Sequence, residues 1–199
     1  MNASFADEIL SAYPDNPAVE ILANNGPSFR PGPPEGAQYR RAATYSGDET
    51  FIANRRLACQ TWVSVGLEAY CYRFNAIPAW ADPVLEGATH FVEVAFAMLN
   101  LKGVGYEPFR TPPFQGKPQS FTDLAYLMSG DWVSFVVNGD PNAWRGRRSF
   151  EVPAWPCYSN DEPKNFVYDA NVTSYVEADT WRYEGIDLIN AGNLAVYGR

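Results

Sequence analysis

The run SFTDLAYLMSGDWVSFVVNGDPNAW, Ser120 to Trp144, constrains the fold more than any other stretch of this chain. Phe121, Leu124, Ala125, Leu127, Met128, Trp132, Phe135 and Val136 recur at three- and four-residue spacing, which places them on one broad face of a helix. Gly139 and Pro141 stop that helix. A face so wide has to be covered, and the rest of the sequence is read for what could cover it.

The periodicity elsewhere switches between helix and strand. SGDETFIANRRLACQTWVSVG predicts a helix from about Thr50 to Val65, with Ser46 or Asp48 capping its first turn and Gly66 ending it. In EAYCYRFNAI, Tyr70, Tyr72 and Phe74 alternate with Cys71, Arg73 and Asn75, a strand pattern bounded by Pro78 and Pro83. A short helical segment follows His90 to about Leu99. KNFVYDA and TSYVEA are short strand-like runs, and ADTWRYEGIDLINAG is a final helix with Asp179 or Thr180 near its N-cap. Asn24 to Ala42 and Gly103 to Ser120 are rich in Gly and Pro and read as connections, and VPAWPCYS reads as Pro-broken surface chain.

Length and charge narrow the classes of function. With 199 residues and 46% hydrophobic content, the expectation is one sizeable domain. A formal net charge of -8 argues against nucleic acid or an anionic membrane as the main partner, because both require clustered cations. Arg145 to Arg148, RGRR, is the one basic cluster and reads as a solvated loop. No apolar run approaches the roughly 20 residues needed to span a bilayer, and MNASFADEILSAYPDNP meets Asp7 and Glu8 too early for an export signal. Cys59, Cys71 and Cys157 are an odd set, so at least one does not pair within the chain. Asn2-Ala-Ser and Asn171-Val-Thr are glycosylation acceptor triplets, which matter only on a secretory route. No metal cluster, phosphate loop or haem motif is visible, and no cofactor is expected.

The chemistry-bearing residue that stands out is His90, the only histidine. It follows a strand, a Pro-punctuated loop and the tetrapeptide EGAT, the kind of place where α/β enzymes put reactive groups. An imidazole packed at the start of a core helix is the plain alternative.

Several blocks in fixed order bear on the choice. GATHFVEVAFAMLN is similar to the Gly-x-x-His-[Gly or Phe]-x-Glu block of the type-B carboxylesterase/lipase family, an α/β-hydrolase fold, and is most like its fungal secreted members. LAYLMSGDWVSFVVNGDPN resembles the family's Trp-x-x-Phe followed by Gly-Asp-Pro-Asn, WPCY its Trp-Pro-x-Tyr, and ADTWRYEGIDLIN its Asp-x-x-Arg final helix. Upstream, SAYPDNP and YSGDETFIANRRLA resemble its Tyr-Pro and Asp-x-x-Phe…Arg segments. The resemblance runs from about residue 5 to 190.

It implies that His90 is the triad histidine, the base that accepts the serine proton and returns it to the leaving alcohol. It implies a supporting role for Glu93, fixing the loop that carries His90, beside the plain reading of a carboxylate favoured in a helix first turn. Phe91 stands where many members have Gly, and would shape the acyl or alcohol pocket if it points inward. The implied partner is a small-molecule or lipid ester, and the implied location is extracellular.

The resemblance also defines what to miss. Ser28, Ser46 and Ser129 lack the flanking glycines of Gly-x-Ser-x-Gly, so no nucleophile elbow is present. The family's triad acid and oxyanion glycines belong upstream of the AYPDNP segment. Residues 1–199 are therefore expected to be the C-terminal segment of a type-B carboxylesterase domain: an incomplete α/β-hydrolase sheet with flanking helices, inactive alone and dependent on the N-terminal part of the same fold. Phe74, Trp62, Trp132 and Phe135 are then expected to meet water or another chain. The other class of reading is a non-catalytic binding or adhesion protein that kept the fold and lost the triad.

Overall fold

Helical runs and short aromatic-rich strand patterns alternate along the chain, and the secondary structure follows that alternation. The computed structural model of the protein describes residues 3–16, 31–106 and 111–198. Their order is α1 (Ala3–Ala12), α2 (Tyr39–Gly47), α3 (Ala53–Ser64), β1 (Tyr72–Phe74), α4 (Val94–Ala97), α5 (Gln119–Asn138), β2 (Lys164–Tyr168), β3 (Tyr175–Ala178) and α6 (Tyr183–Ala191). They divide into a helical unit, Met1–Ala69, Ser159–Pro163 and Asp179–Arg199, and a sheet unit, Tyr70–Tyr158 and Lys164–Ala178.

In the sheet unit, β1 pairs parallel to β2, with Tyr72 opposite Phe166, and β2 pairs antiparallel to β3, with Val167 opposite Tyr175. This small mixed sheet with helices is an α/β arrangement. VPAWPCYS departs from its reading as surface chain, because Trp155 and Tyr158 are buried. The Trp155 ring stacks on Phe166 at 5.7 Å and meets Tyr72 and Tyr168 edge-on, while its Nε1 donates to the Cys71 carbonyl at 2.9 Å. Proline prevents the segment from pairing as a strand, but it leaves the indole free to fill the gap beside β2.

The long helix forms where its period places it. Gly139 ends it in the left-handed conformation, φ 73°, with its N–H on the Phe135 carbonyl. Among the described residues the first half of its apolar face is buried, with Phe121, Leu124, Ala125, Leu127 and Met128 in the core beside Phe96 and Phe166, whereas Trp132 and Phe135 stay partly exposed with one edge against Tyr72 and Tyr70, and Val136 is exposed. Trp62 is exposed as well, while Phe74 packs against Phe96 at 4.9 Å. Gly130 is required inside this helix, since a Cβ there would lie 2.4 Å from the Trp144 ring. The RGRR cluster also departs from expectation. Arg147 is buried and donates to Asp131 Oδ1 at 2.9 Å, in a short 3₁₀ turn, Arg145–Ser149.

In the helical unit the predicted helix from Thr50 starts earlier. It runs from Tyr39 through a π-helical turn, Asp48–Ile52, into α3, and Gly66, φ 83°, follows its end. Asp48 does not cap a first turn. It is fully buried mid-helix, where Arg182 Nε and Nη2 each donate at 2.6 Å and Tyr13 donates its hydroxyl at 2.9 Å. Of the expected connection Asn24–Ala42, residues 31–38 are turns and Tyr39 onward is helix; the remainder lies outside the described residues. Asp179 does not cap the last helix either. It accepts from both Arg55 and Arg56, and α6 begins behind Arg182. The core here is Ile9, Tyr13, Ala53, Ile186 and Ile189, with Gly185 held against the Tyr13 ring, where a Cβ would approach to 2.6 Å.

Candidate functional site

The chain leaves β1 along a loop pinned at both ends. Asn75 donates its backbone N–H to the Tyr168 carbonyl at 2.8 Å and its side-chain amide to Asp169 at 2.7 Å. Further on, Asp82 Oδ1 accepts the N–H groups of Val84 and Leu85, and the Asp82 N–H donates to Glu86 Oε2 at 3.0 Å. This reciprocal arrangement closes the turn as a capping box does. Gly87, φ 64°, donates to the Asp82 carbonyl, and Thr89 to Glu93 make the turn that carries His90.

His90 is exposed in that turn, so it is not an imidazole locked inside an apolar core. Its anchors lie next to it in sequence: Val92, Ala95 and Phe96 are buried, and Phe96 is one of the largest fully buried side chains. The turn thus holds its apolar residues inward and presents His90 and Phe91 outward. Imidazole is the side chain whose proton affinity suits it to accept and return a proton near neutral pH.

Phe91 sits in a conformation that L residues rarely adopt. Its φ is 76°, its side chain is 56% exposed, and its ring is edge-on to His90 with centroids 6.4 Å apart. A non-glycine residue there costs of order 1–3 kcal/mol of backbone strain, and little packing of the ring offsets it. Glycine meets this backbone demand without strain.

Glu93 is half-buried at the N-cap of α4, where its carbonyl accepts from Phe96 and Ala97 at 2.9 Å. Its side chain makes no cap hydrogen bond. Its charge instead reaches Tyr72, whose hydroxyl is pushed up to about 12, first by burial and then by Glu93. Glu93 is thus coupled electrostatically to the aromatic cluster at Tyr72.

Two further features escape a sequence reading. Asp131, Arg147 and Tyr168 form a buried triad in the sheet unit, Tyr168 donating to Asp131 Oδ2 at 3.0 Å. Only an Asp on the apolar face of a helix hints at it. In the helical unit a cleft of about 470 Å³ is walled by Tyr13, Arg41, Trp181, Arg182 and Tyr183. Its two guanidinium groups are occupied in holding the fold: Arg41 donates to the Tyr13 and Leu10 carbonyls, and Arg182 to Asp48. Among the described residues, no group of three or more His, Cys, Asp or Glu side chains could hold a metal ion, and no helix is long and apolar enough to cross a membrane. Cys59 and Cys71 are disulfide-bonded, and Cys157 is free and exposed. Asn171 is exposed; Asn2 lies outside the described residues.

Comparison with known proteins bears on the blocks around this site. No family model matches the chain. In sequence it is 24% identical over 182 residues to Secreted lipase 4 of Gibberella zeae, covering 89% of this chain. It spans only 27% of that relative's length. Among solved structures it is similar to the carboxylesterase EST55 of Geobacillus stearothermophilus at pH 6.2, with TM-score 0.59 and 24% identity, covering 89% of this chain and 30% of that one. The same enzyme at pH 6.8 gives TM-score 0.55 and 25% identity, over 73% of this chain and 27% of that one. These findings bear out the resemblance to the type-B carboxylesterase/lipase family: the chain is carboxylesterase- and lipase-like in sequence and α/β in fold.

Proposed function

We propose that residues 1–199 are the C-terminal segment of a carboxylic ester hydrolase, and that His90 is the general base of its serine triad. The observation that carries this reading is the exposed imidazole at the outer face of a turn pinned by Asp82, Gly87, Val92 and Phe96, within a block that resembles the family's histidine motif. In the reaction His90 takes the proton of an attacking serine and delivers it to the leaving alcohol. That serine, the triad acid and the oxyanion donors would come from a part of the fold outside this chain, so these residues alone would not turn over ester.

Glu93 steadies the His90 turn from the N-cap of α4, and Phe91 forms a wall of the acyl or alcohol pocket. The substrate class is a small-molecule or lipid ester. Extracellular location is part of the same proposal, supported by the likeness to a secreted lipase.

The test is complementation. The chain is joined to an upstream Gly-x-Ser-x-Gly-bearing segment of the same fold, and hydrolysis of p-nitrophenyl esters is measured. The joined protein is expected to be active, and His90→Ala to lower kcat by roughly 10⁴–10⁶-fold. Unchanged turnover in that variant overturns the assignment. Phe91→Ala is expected to shift the preferred acyl length with a smaller loss.

A further inference from the structure

We propose that Asn171 is an N-glycosylation site, bearing an oligosaccharide at the tip of the hairpin between β2 and β3. This is independent of the esterase reading and requires only that the chain pass through a secretory compartment.

Four observations carry it. Asn171-Val172-Thr173 has the acceptor pattern, with no proline at the middle position. All three residues are exposed, between the end of β2 at Tyr168 and the start of β3 at Tyr175. The turn satisfies its own polar groups inward: Asp169 Oδ1 accepts the N–H groups of Asn171 at 2.8 Å and Val172 at 3.4 Å, and the buried Ser174 hydroxyl receives the Asp169 N–H at 3.2 Å. Neither the Asn171 amide nor the Thr173 hydroxyl makes a side-chain hydrogen bond among the described residues, so both remain available to an enzyme. Fourth, Cys59 and Cys71 are oxidised to disulfide, a state that persists in secretory and extracellular compartments.

The donor is a lipid-diphosphate-linked oligosaccharide. Nδ2 of Asn171 bonds to C1 of the first sugar as the C1–O bond to the diphosphate breaks. The lipid diphosphate departs with the electron pair, and Nδ2 loses one proton. The product has a physical consequence. β3 is an edge strand of the three-stranded sheet, and a bulky solvated group at its hairpin hinders edge-to-edge pairing while covering the exposed Val172.

The full chain, given an export leader, is secreted from a eukaryotic host and digested with trypsin before and after treatment with peptide N-glycosidase. The peptide spanning residues 165–182 is expected to appear only after glycan release, with residue 171 converted from amide to acid. Asn171→Gln and Thr173→Ala are each expected to abolish that modification, and Thr173→Ser to keep it. An unmodified 165–182 peptide in the secreted wild-type chain overturns the proposal, including the case where a glycan is found at Asn2 alone. The wild-type peptide is read directly, so poor secretion of a variant does not affect the outcome.

Discussion

The helical and sheet units bury carboxylates under different terms. In the helical unit Asp48 faces the fork of Arg182 plus a tyrosine hydroxyl, and Asp179 faces two arginines. In the sheet unit Asp131 has one donor from Arg147 and one from Tyr168, within an aromatic cluster. Burial raises both Asp131 and Asp179, but the outcomes diverge. Hydrogen bonds from Arg55 and Arg56 outweigh burial and hold Asp179 well below the usual carboxylate range. Arg147 and Tyr168 do not, and Asp131 is raised to about 6. The number of aligned cationic donors, rather than depth, sets how readily a buried acid takes up a proton.

The same contrast appears in the backbone. Arg182 and Phe91 both adopt positive φ, 47° and 76°. Arg182 is held there by its double hydrogen bond to Asp48, whereas Phe91 is mostly solvent-facing. Substituting glycine at each position relieves the same strain with opposite net results. Arg182→Gly is expected to destabilise the protein by about 3–5 kcal/mol, because it strands a buried carboxylate. Urea denaturation measures this, and a loss under about 1 kcal/mol would break the comparison.

The second effect is a pair of opposed pH slopes. A carboxyl raised from 3.8 to about 6 in the fold binds a proton before its unfolded counterpart does. The native sheet unit therefore gains stability as pH falls from about 7 towards 4, by up to roughly 3 kcal/mol. Asp179 is depressed, so its contribution is full above its ordinary titration range and is lost as pH falls through and below it. Hydrogen exchange of β2 amides is expected to slow between pH 7 and 5, after correction for intrinsic rates, while α6 amides show no such gain. Asp131→Asn should flatten the β2 response, and a response that persists assigns the slope to another group.

The smallest expected effect sharpens the backbone half of the contrast. Phe91→Gly is expected to raise stability by about 1 kcal/mol, the released strain less the extra chain entropy of glycine. A measurable loss of stability would mean that the Phe91 ring packs more than its exposure indicates.

Much of the architecture was legible because it is local. The 20-residue helix α5, its glycine stop and the strands β2 and β3 follow from period and punctuation alone. The turn holding His90 was legible as a place, through the prolines and EGAT before it and the apolar run after it. At Trp155 the flanking prolines argue correctly against a strand but say nothing about burial. Asp48 and Asp179 carry a cap signal for a related reason: an Asp ahead of a helical run is a local pattern, while their actual partners lie 134 and 123 or 124 residues away. The two motif blocks Asp-x-x-Phe…Arg and Asp-x-x-Arg turn out to be reciprocal, Asp48 pairing with Arg182 and Arg55 with Asp179.

What this sequence determined by itself is the helices and strands from α3 onward and the placing of one histidine in a turn, since those depend on contacts within a few residues; α1 and α2 were not read from it. Tertiary structure alone decided which charged side chains are buried and with whom, and that, among the described residues, the second half of the apolar face of α5 stays partly exposed. Pairing across more than 100 residues is set by packing geometry, which no local spacing encodes.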